Sequence, residues 1–254
     1  MINVFQPSLG VEELAAVKKV FESNWIGKGQ VTEQFEADFA RFINADRTLI
    51  RSISCCTEGL FQAMPLLGIG RGDEVVLPSI GFVGAANAVA ASGAQVVFCD
   101  VNPRTLNVTA ETIEAKLTPK TRAILILHYG GVPCEMDAIV DLVRRRGLAL
   151  IEDSACSVAS RYKGKACGTF GDVAAWSFDA MKILVCGDGG MIYCRTPEML
   201  RRAEESIYLG LTTRSGISSK AESKWWEFDI GWLYIRILEV LHLARVNYIY
   251  NHKV

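Results

Sequence analysis

Short apolar runs of β-type residues alternate with helical patterns along most of the chain, and this alternation constrains the fold more than any other feature. Five runs predict buried strands: DEVVLPS, AQVVFCDV, RAILILHY, LALIEDS and DVAAWSF. Apolar residues at three-to-four spacing predict helices before and between them, among them VEELAAVKKVFES, VTEQFEADFARFI, TEGLFQAMPLLG, GFVGAANAVAASG and MDAIVDLVRRRG. Such interleaving predicts an α/β domain with a mostly parallel sheet flanked by helices on both faces.

The overall charge of the chain argues against some classes of binding partner. The 254 residues carry a net charge of −1, half of them are hydrophobic and 22% are charged. A near-neutral chain has no electrostatic footprint for nucleic acid and no basic tail for an anionic membrane surface. The most apolar C-terminal segment contains Asp229, Arg236, Glu239 and Arg245, which disfavour a spanning helix. We therefore expect neither a nucleic-acid partner nor a membrane partner.

The cysteines indicate the compartment. All eight are scattered, without a CxxC pair and without histidines at zinc spacing, so we predict no metal site. The opening MINVFQPSLG has neither the charged nor the apolar region of a secretory signal. Reduced thiols in a cytoplasmic protein fit this pattern best.

Candidate site residues follow the predicted strands, because ligands of such sheets gather beyond the carboxyl ends of the strands. LALIED ends in Glu152 and Asp153, DVAAWSF is followed by Lys182, and DEVVLPS leads to Phe82. The segment SISCCTEGL passes through small residues into a helix start. Its free N–H groups and the Thr57 hydroxyl suit a phosphate.

These groups suit one cofactor when taken together. A phosphate site, an aromatic ring for stacking, an acid for a ring nitrogen and a nucleophilic amine describe a site for pyridoxal 5'-phosphate. Each group also has an ordinary structural interpretation. Asp153 and Thr57 could cap helices, Phe82 could belong to the core, and Lys182 could be a surface charge.

Several longer motifs, in order over residues 5–200, carry a resemblance to a known family. They are NWIGKGQVTEQFEADFARFINA, LGIGRGDEVVLPSIGFVGAANAVAASGAQVVFCDVNPRTLNV, LTPKTRAILILHYGGVPCEMDAI, IEDSACSVASRYKGKACGTFGDVAAWSFDAMK and GDGGMIYC. The chain resembles the DegT/DnrJ/EryC1/StrS sugar aminotransferases, fold-type I pyridoxal phosphate enzymes that act on nucleotide-linked keto-sugars.

This resemblance implies roles for individual residues. Lys182 would bond to the cofactor and shuttle the proton, and Asp153 would pair with the pyridine nitrogen. A lysine at position 182 favours transamination over the dehydratase chemistry of relatives with histidine there. The implied cofactor-binding residues are Thr57, Glu58 through its backbone, Phe82, Asp153, Cys156, Ser177 and Lys182.

The chain also departs from the family pattern. Cys156 stands where the family usually has a glutamine close to the cofactor. IGWLYIRIL retains Gly231, Tyr234 and Arg236 of a later motif but lacks its asparagine. Family members continue beyond position 254 into a small C-terminal domain. We therefore expect a cofactor-binding large domain over residues 1–210, followed by a polar loop and terminal helix over 211–254 that begins a truncated small domain.

A homodimer with active sites at the subunit interface is the expected assembly. In relatives the loop corresponding to Thr212–Lys224 reaches into the partner's site. Trp225, Trp226 and Phe228 follow it, and aromatic residues are favoured interface anchors. The alternative is that they pack the last helix onto its own domain.

The leading functional hypothesis is a transfer of an amino group from glutamate or glutamine to a keto-sugar in amino-sugar biosynthesis. The alternative is a truncated, non-catalytic member that binds pyridoxal phosphate or only dimerises. An unrelated NAD-binding protein is disfavoured because no GxGxxG follows an early strand.

Overall fold

The computed structural model describes residues 7–207, which contain seven helices and nine strands. The helices are α1 (Val11–Glu22), α2 (Gln30–Ile43), α3 (Cys56–Leu66), α4 (Val83–Ala91), α5 (Ala110–Glu114), α6 (Met136–Arg146) and α7 (Pro197–Glu204). The strands are β1 (Ile50–Ile53), β2 (Glu74–Pro78), β3 (Gln95–Cys99), β4 (Thr121–Leu127), β5 (Ala149–Asp153), β6 (Arg161–Tyr162), β7 (Lys165–Ala166), β8 (Val173–Ser177) and β9 (Gly190–Cys194). Short 3-10 turns lie at Arg47–Leu49 and Tyr129–Gly131.

One seven-stranded sheet organises this part of the chain, in the order β1-β9-β8-β5-β4-β2-β3. Strands β8, β5, β4, β2 and β3 pair in parallel, whereas β9 runs antiparallel to both of its neighbours. Strands β6 and β7 form a separate two-stranded hairpin. The prediction of a mostly parallel sheet is confirmed. The predicted strands did not include β9 itself, which appeared only within the GDGGMIYC motif.

Alternating strand residues build cores on both faces of the sheet. On one face Leu125 and Ile151 pack in a cluster with residues of α3, α4 and α7. On the other face Ile124 and Leu150 pack in a cluster with residues of α5 and α6, and Trp176 packs with residues of α2. The predicted helices on both faces are therefore confirmed. Because side chains alternate along a strand, consecutive residues at a strand end face opposite sides.

Some predictions concern residues that the structure does not describe. The loop Thr212–Lys224, the aromatic residues Trp225, Trp226 and Phe228, and the IGWLYIRIL motif with Gly231, Tyr234 and Arg236 lie outside residues 7–207. Within the described range, no helix has the length and apolar character that crossing a membrane requires.

Candidate active site

Asp153 is the last residue of β5, and its carboxylate is buried with 3% of the residue exposed. Its Oδ1 accepts the backbone N–H of Ala155 at 3.0 Å and lies 3.9 Å from the Cys56 thiol. Burial raises the pKa of Asp153, an effect that the Ala155 N–H and the positive charge of Lys182 partly oppose. Its Oδ2 has no hydrogen-bond donor among residues 7–207. Asp153 therefore offers one carboxylate oxygen to a ligand.

A pocket of about 180 Å³ lies in front of this carboxylate. Asp153 and Phe82 both line it, together with residues that follow β2 and the apolar ends of β3 and β4. Phe82 is the N-cap residue of α4 and is 64% exposed, so its ring does not belong to the core. The structure thus joins an acid and an aromatic ring that are far apart in the sequence.

The first turn of α3 brings a second group to Phe82. A β-carbon at Gly84 would lie 2.8 Å from the Phe82 ring and 3.2 Å from the Thr57 methyl group, so both side chains converge on a position that only glycine leaves open. Thr57 and Glu58 occupy this first turn, and no side chain caps the helix at Cys55. The Glu58 carboxylate turns back to accept the N–H and hydroxyl of Ser54, each at 2.7 Å. The N–H groups of the first turn are therefore available to an anion.

Lys182 lies in the loop that connects β8 to β9, beyond the end of the strand itself. Its backbone N–H donates to Asp179 O at 3.0 Å, and Ala180 N–H donates to Gly187 O at 3.1 Å. Ser177 ends β8, is 7% exposed, and accepts the N–H of Asp179 through Oγ at 3.3 Å. The loop is thus fixed by its own backbone. It holds the half-buried Lys182 side chain close enough to Asp153 for the positive charge to oppose part of the rise in the pKa of that carboxyl group.

Cys156 lies in the turn after β5, opposite this loop. Its Sγ is 3.8 Å from Lys182 Nζ. Through this contact the residue that departs from the family pattern meets the predicted catalytic amine directly.

The sequence-based predictions did not single out two neighbours of Asp153. Cys56, the first residue of α3, places its thiol near Oδ1, and burial together with the Asp153 charge raises the pKa of that thiol well above its ordinary value. His128 immediately follows β4, and its backbone N–H donates to the backbone oxygen of Asp153 at 3.3 Å. The strand-end rule applied to RAILILHY would have identified His128.

The other acid of the pair, Glu152, faces the opposite side of the sheet and is fully buried. Its oxygens accept the backbone N–H groups of Gly168, Phe170 and Gly171 at 2.8, 2.7 and 2.5 Å. Oε2 also lies 3.1 Å from His128 Nε2. The Cys134 N–H donates to His128 Nδ1 at 3.1 Å, so the ring proton lies on Nε2 and is donated to Glu152. Glu152 is therefore a structural carboxylate.

The fold and the site define a class of protein: an α/β domain whose strand ends gather an acid, an aromatic ring, an uncapped helix start and an amine. The family model of the DegT/DnrJ/EryC1/StrS aminotransferase family matches residues 7–235. The chain belongs to this family.

Named relatives agree with this assignment. The chain is 55% identical over 235 residues to the dTDP-4-dehydro-2,3,6-trideoxy-D-glucose 4-aminotransferase of Saccharopolyspora spinosa, covering 91% of this chain and 61% of the relative. It is 36% identical over 220 residues to the spore coat polysaccharide biosynthesis protein SpsC of Bacillus subtilis, covering 87% of this chain and 56% of that protein.

Solved structures share the fold. The aminotransferase TlmJ from Streptoalloteichus hindustanus matches with a TM-score of 0.79 and 61% identity, over 81% of this chain and 56% of that one. DesV from S. venezuelae matches with a TM-score of 0.75 and 34% identity, over 84% of this chain and 56% of that one. The alignments thus span about three-fifths or less of the length of these relatives.

Proposed function

We propose that this chain binds pyridoxal 5'-phosphate and transfers an amino group from glutamate or glutamine to a keto-sugar. The observation that carries the proposal is Asp153, a buried acid whose Oδ2 has no hydrogen-bond donor among residues 7–207 and which lines a pocket together with Phe82. A protonated ring nitrogen would donate to that oxygen and offset the cost of burying the charge. The face of Phe82 suits the same heterocycle.

The remaining groups fit the rest of the cofactor. The uncapped first turn of α3, with the Thr57 hydroxyl and the N–H of Glu58, suits the phosphate group, and we add the Ser177 hydroxyl to this set. The Lys182 amine, held by its loop close to Asp153, suits the aldehyde. When bound, the cofactor supplies an aldehyde and an electron-withdrawing ring.

Each residue then has a defined task in the reaction. Asp153 Oδ2 would accept a hydrogen bond from a protonated ring nitrogen, and the Phe82 ring would lie against the heterocycle. Lys182 Nζ would accept and return the proton that moves during amino transfer. Cys156 Sγ lies beside that amine, where the family glutamine would otherwise stand.

A nucleotide-linked keto-sugar is the substrate class we propose. The support is the 55% identity to a dTDP-keto-sugar 4-aminotransferase over most of this chain. The chain matches only part of the length of its relatives, so we retain a second candidate function: a non-catalytic member that binds the cofactor or only dimerises. Amino-acid turnover separates the two functions.

The first test is cofactor attachment. Purified protein is mixed with pyridoxal phosphate, reduced with borohydride and mapped by mass spectrometry, and we expect the label on Lys182. The Lys182→Arg variant should lose the label. The matched variant Lys165→Arg should keep it, because Lys165 lies on β7 with its amine over the Phe170 ring. A label elsewhere, or none at saturating cofactor, contradicts the proposal.

The second test is the half-reaction. Adding glutamate or glutamine to the loaded protein should convert the cofactor absorbance to that of the amino form, and a dTDP-keto-sugar should reverse the change. Cofactor binding without any such conversion would favour the non-catalytic alternative.

We also infer a homodimer with active sites at the interface. The support is a group of exposed apolar side chains on the Lys182 loop, where Met181 is 55%, Ile183 80% and Leu184 41% exposed. Exposed apolar groups in one place are typical of interaction surfaces. Light scattering at micromolar concentration should give the mass of two chains, and a stable monomer that binds the cofactor tightly would contradict the inference.

We also propose a domain boundary and a cellular location. We place the boundary of the large domain near residue 210, with 211–254 as a separate segment, and limited proteolysis should cut first near that boundary. We infer a cytoplasmic location because the eight cysteines are free thiols, as expected in a reducing compartment. Fractionation of the producing cells tests the location.

A further inference from the structure

Cys156 and Lys182 form a thiol–amine pair that amino transfer does not require. Their Sγ and Nζ atoms lie 3.8 Å apart, although 26 positions separate the two residues. Both side chains are half-buried and therefore partly accessible to solvent. An amine in contact with a thiol is placed to react with it once the sulfur becomes electrophilic.

The backbone holds both members of the pair in place. Cys156 lies in a turn closed by the Ser157 N–H, which donates to Ser154 O at 3.0 Å. Lys182 lies in the loop closed by its own N–H to Asp179 O and by the Cys186 N–H to Phe178 O at 2.9 Å. Backbone hydrogen bonds therefore fix both of the segments that bring Cys156 and Lys182 into contact.

The other thiols have different surroundings. Burial raises the pKa of six of them: Cys56, Cys99, Cys134, Cys167, Cys186 and Cys194. The Cys56 thiol lies 3.9 Å from Asp153 Oδ1, and the charge of Lys182 also acts on it, so Cys56 lies close to the pair. Cys156 alone is in hydrogen-bonding contact with a lysine amine among the cysteines of the described chain.

We propose that Cys156 and Lys182 form a reversible covalent cross-link when the cofactor-free protein meets a peroxide. The Cys156 sulfur first attacks the peroxide: one S–O bond forms, the O–O bond breaks, and water leaves with the thiol proton. The sulfur is oxidised to a sulfenic acid and the peroxide is reduced. Lys182 Nζ, after it has given up its ammonium proton to solvent, then attacks that sulfur. An S–N bond replaces the S–O bond, and the hydroxide that leaves takes one amine proton to form a second water.

The product, a sulfenamide, removes the amine that the cofactor needs. Two equivalents of a thiol return it to the free cysteine and lysine, and the added thiols become a disulfide. A cofactor already bonded to Lys182 prevents the second step, because Nζ is then no longer free. Oxidant and cofactor thus compete for Lys182 Nζ.

Peptide mapping of peroxide-treated, cofactor-free protein tests the proposal. We expect Cys156 and Lys182 in one linked species about 2 Da lighter than the two peptides together, reversed by dithiothreitol. The Lys182→Arg variant should instead accumulate a Cys156 sulfenic acid that a 1,3-dicarbonyl reagent labels. The matched variant Cys55→Ser, which removes another half-buried thiol, should still form the link.

Two results would overturn the proposal. One is Cys156 oxidised to a sulfinic acid or joined to another cysteine while Lys182 stays free. The other is loss of the link in Cys55→Ser. Neither depends on the proposed function: if pyridoxal phosphate fails to protect Lys182 and fails to label it, the proposed function is wrong, whereas the link in cofactor-free protein still stands.

Discussion

Glu152 and Asp153 are consecutive acids at the end of one strand, yet the protein treats them in opposite ways. On one face of the sheet, Glu152 accepts three backbone N–H groups and the His128 ring proton. On the other, Asp153 accepts one backbone N–H and lies 3.9 Å from the Cys56 thiol, and it lines a pocket. An acid at a strand end becomes a ligand group only where the fold leaves it partly unsatisfied.

The strongest test of this comparison is Glu152→Ala. It leaves three buried N–H groups and the His128 ring without an acceptor, each worth about 1–3 kcal/mol. We expect a loss of more than about 5 kcal/mol, enough to unfold the domain. Denaturant titration followed by circular dichroism measures it. The control Glu114→Ala, on α5 with a solvent-exposed ion pair, should change stability by less than about 1 kcal/mol.

Asp153→Asn should have the opposite effect: little change in stability and a large loss of reaction rate. The fold should keep its stability to within about 1 kcal/mol, since only one N–H bond to Oδ1 is at stake. The half-reaction with glutamate should slow by about 10²–10⁴, because the ring nitrogen loses its charged partner. Rapid-mixing absorbance measures the rate. Turnover near that of the unmodified protein would remove Asp153 from its role.

His128→Ala should have a smaller effect and should belong to the Glu152 side of the comparison. It removes one donor to Glu152 and the acceptor of the Cys134 N–H, a cost of about 1–3 kcal/mol. The half-reaction rate per folded molecule should hardly change. A large loss of rate without a loss of stability would instead assign His128 to the site.

The smallest expected effect is the pH dependence of folding stability that Asp153 causes in the cofactor-free protein. Burial raises its pKa above the ordinary value of 3.8, so the folded state keeps a proton that the unfolded chain releases. The stability from this group is complete below pH 3.8 and declines as pH rises through the raised pKa. The slope should not exceed about 1.4 kcal/mol per pH unit. Asp153→Asn should flatten the profile in that window, and an unchanged slope would contradict the assignment.

The sequence predicted the parts of this comparison that depend on local pattern. The apolar runs LALIEDS and DVAAWSF identify β5 and β8, and the rule that ligands gather at strand ends selects Asp153 and Lys182. The helix start in SISCCTEGL selects Thr57. The family resemblance adds Ser177 and Cys156, whose neighbours do not distinguish them from ordinary small polar residues. Their roles toward the cofactor stay predictions.

Contacts between distant segments were not predictable in this way. The role of Glu152 depends on the loop at 168–171, which delivers three N–H groups from positions with no acidic or basic signal. The approach of Lys182 to Cys156 likewise depends on two turns that meet only in the folded sheet. Local propensity carries no information on which turns meet, because that is decided by the packing of β5 against β8.

The position of β9 between β1 and β8 has a consequence for biosynthesis. Ile50 of β1 pairs with Tyr193 of β9, and the only ladder of β1 in the described chain is this one. On a ribosome, β1 therefore emerges early and has no sheet neighbour until nearly the whole domain has been translated. Such distant pairing slows folding and leaves an unpaired strand open to other nascent chains. The sheet edge formed by β1 is therefore completed only after β9 has been synthesised, late in the translation of this domain.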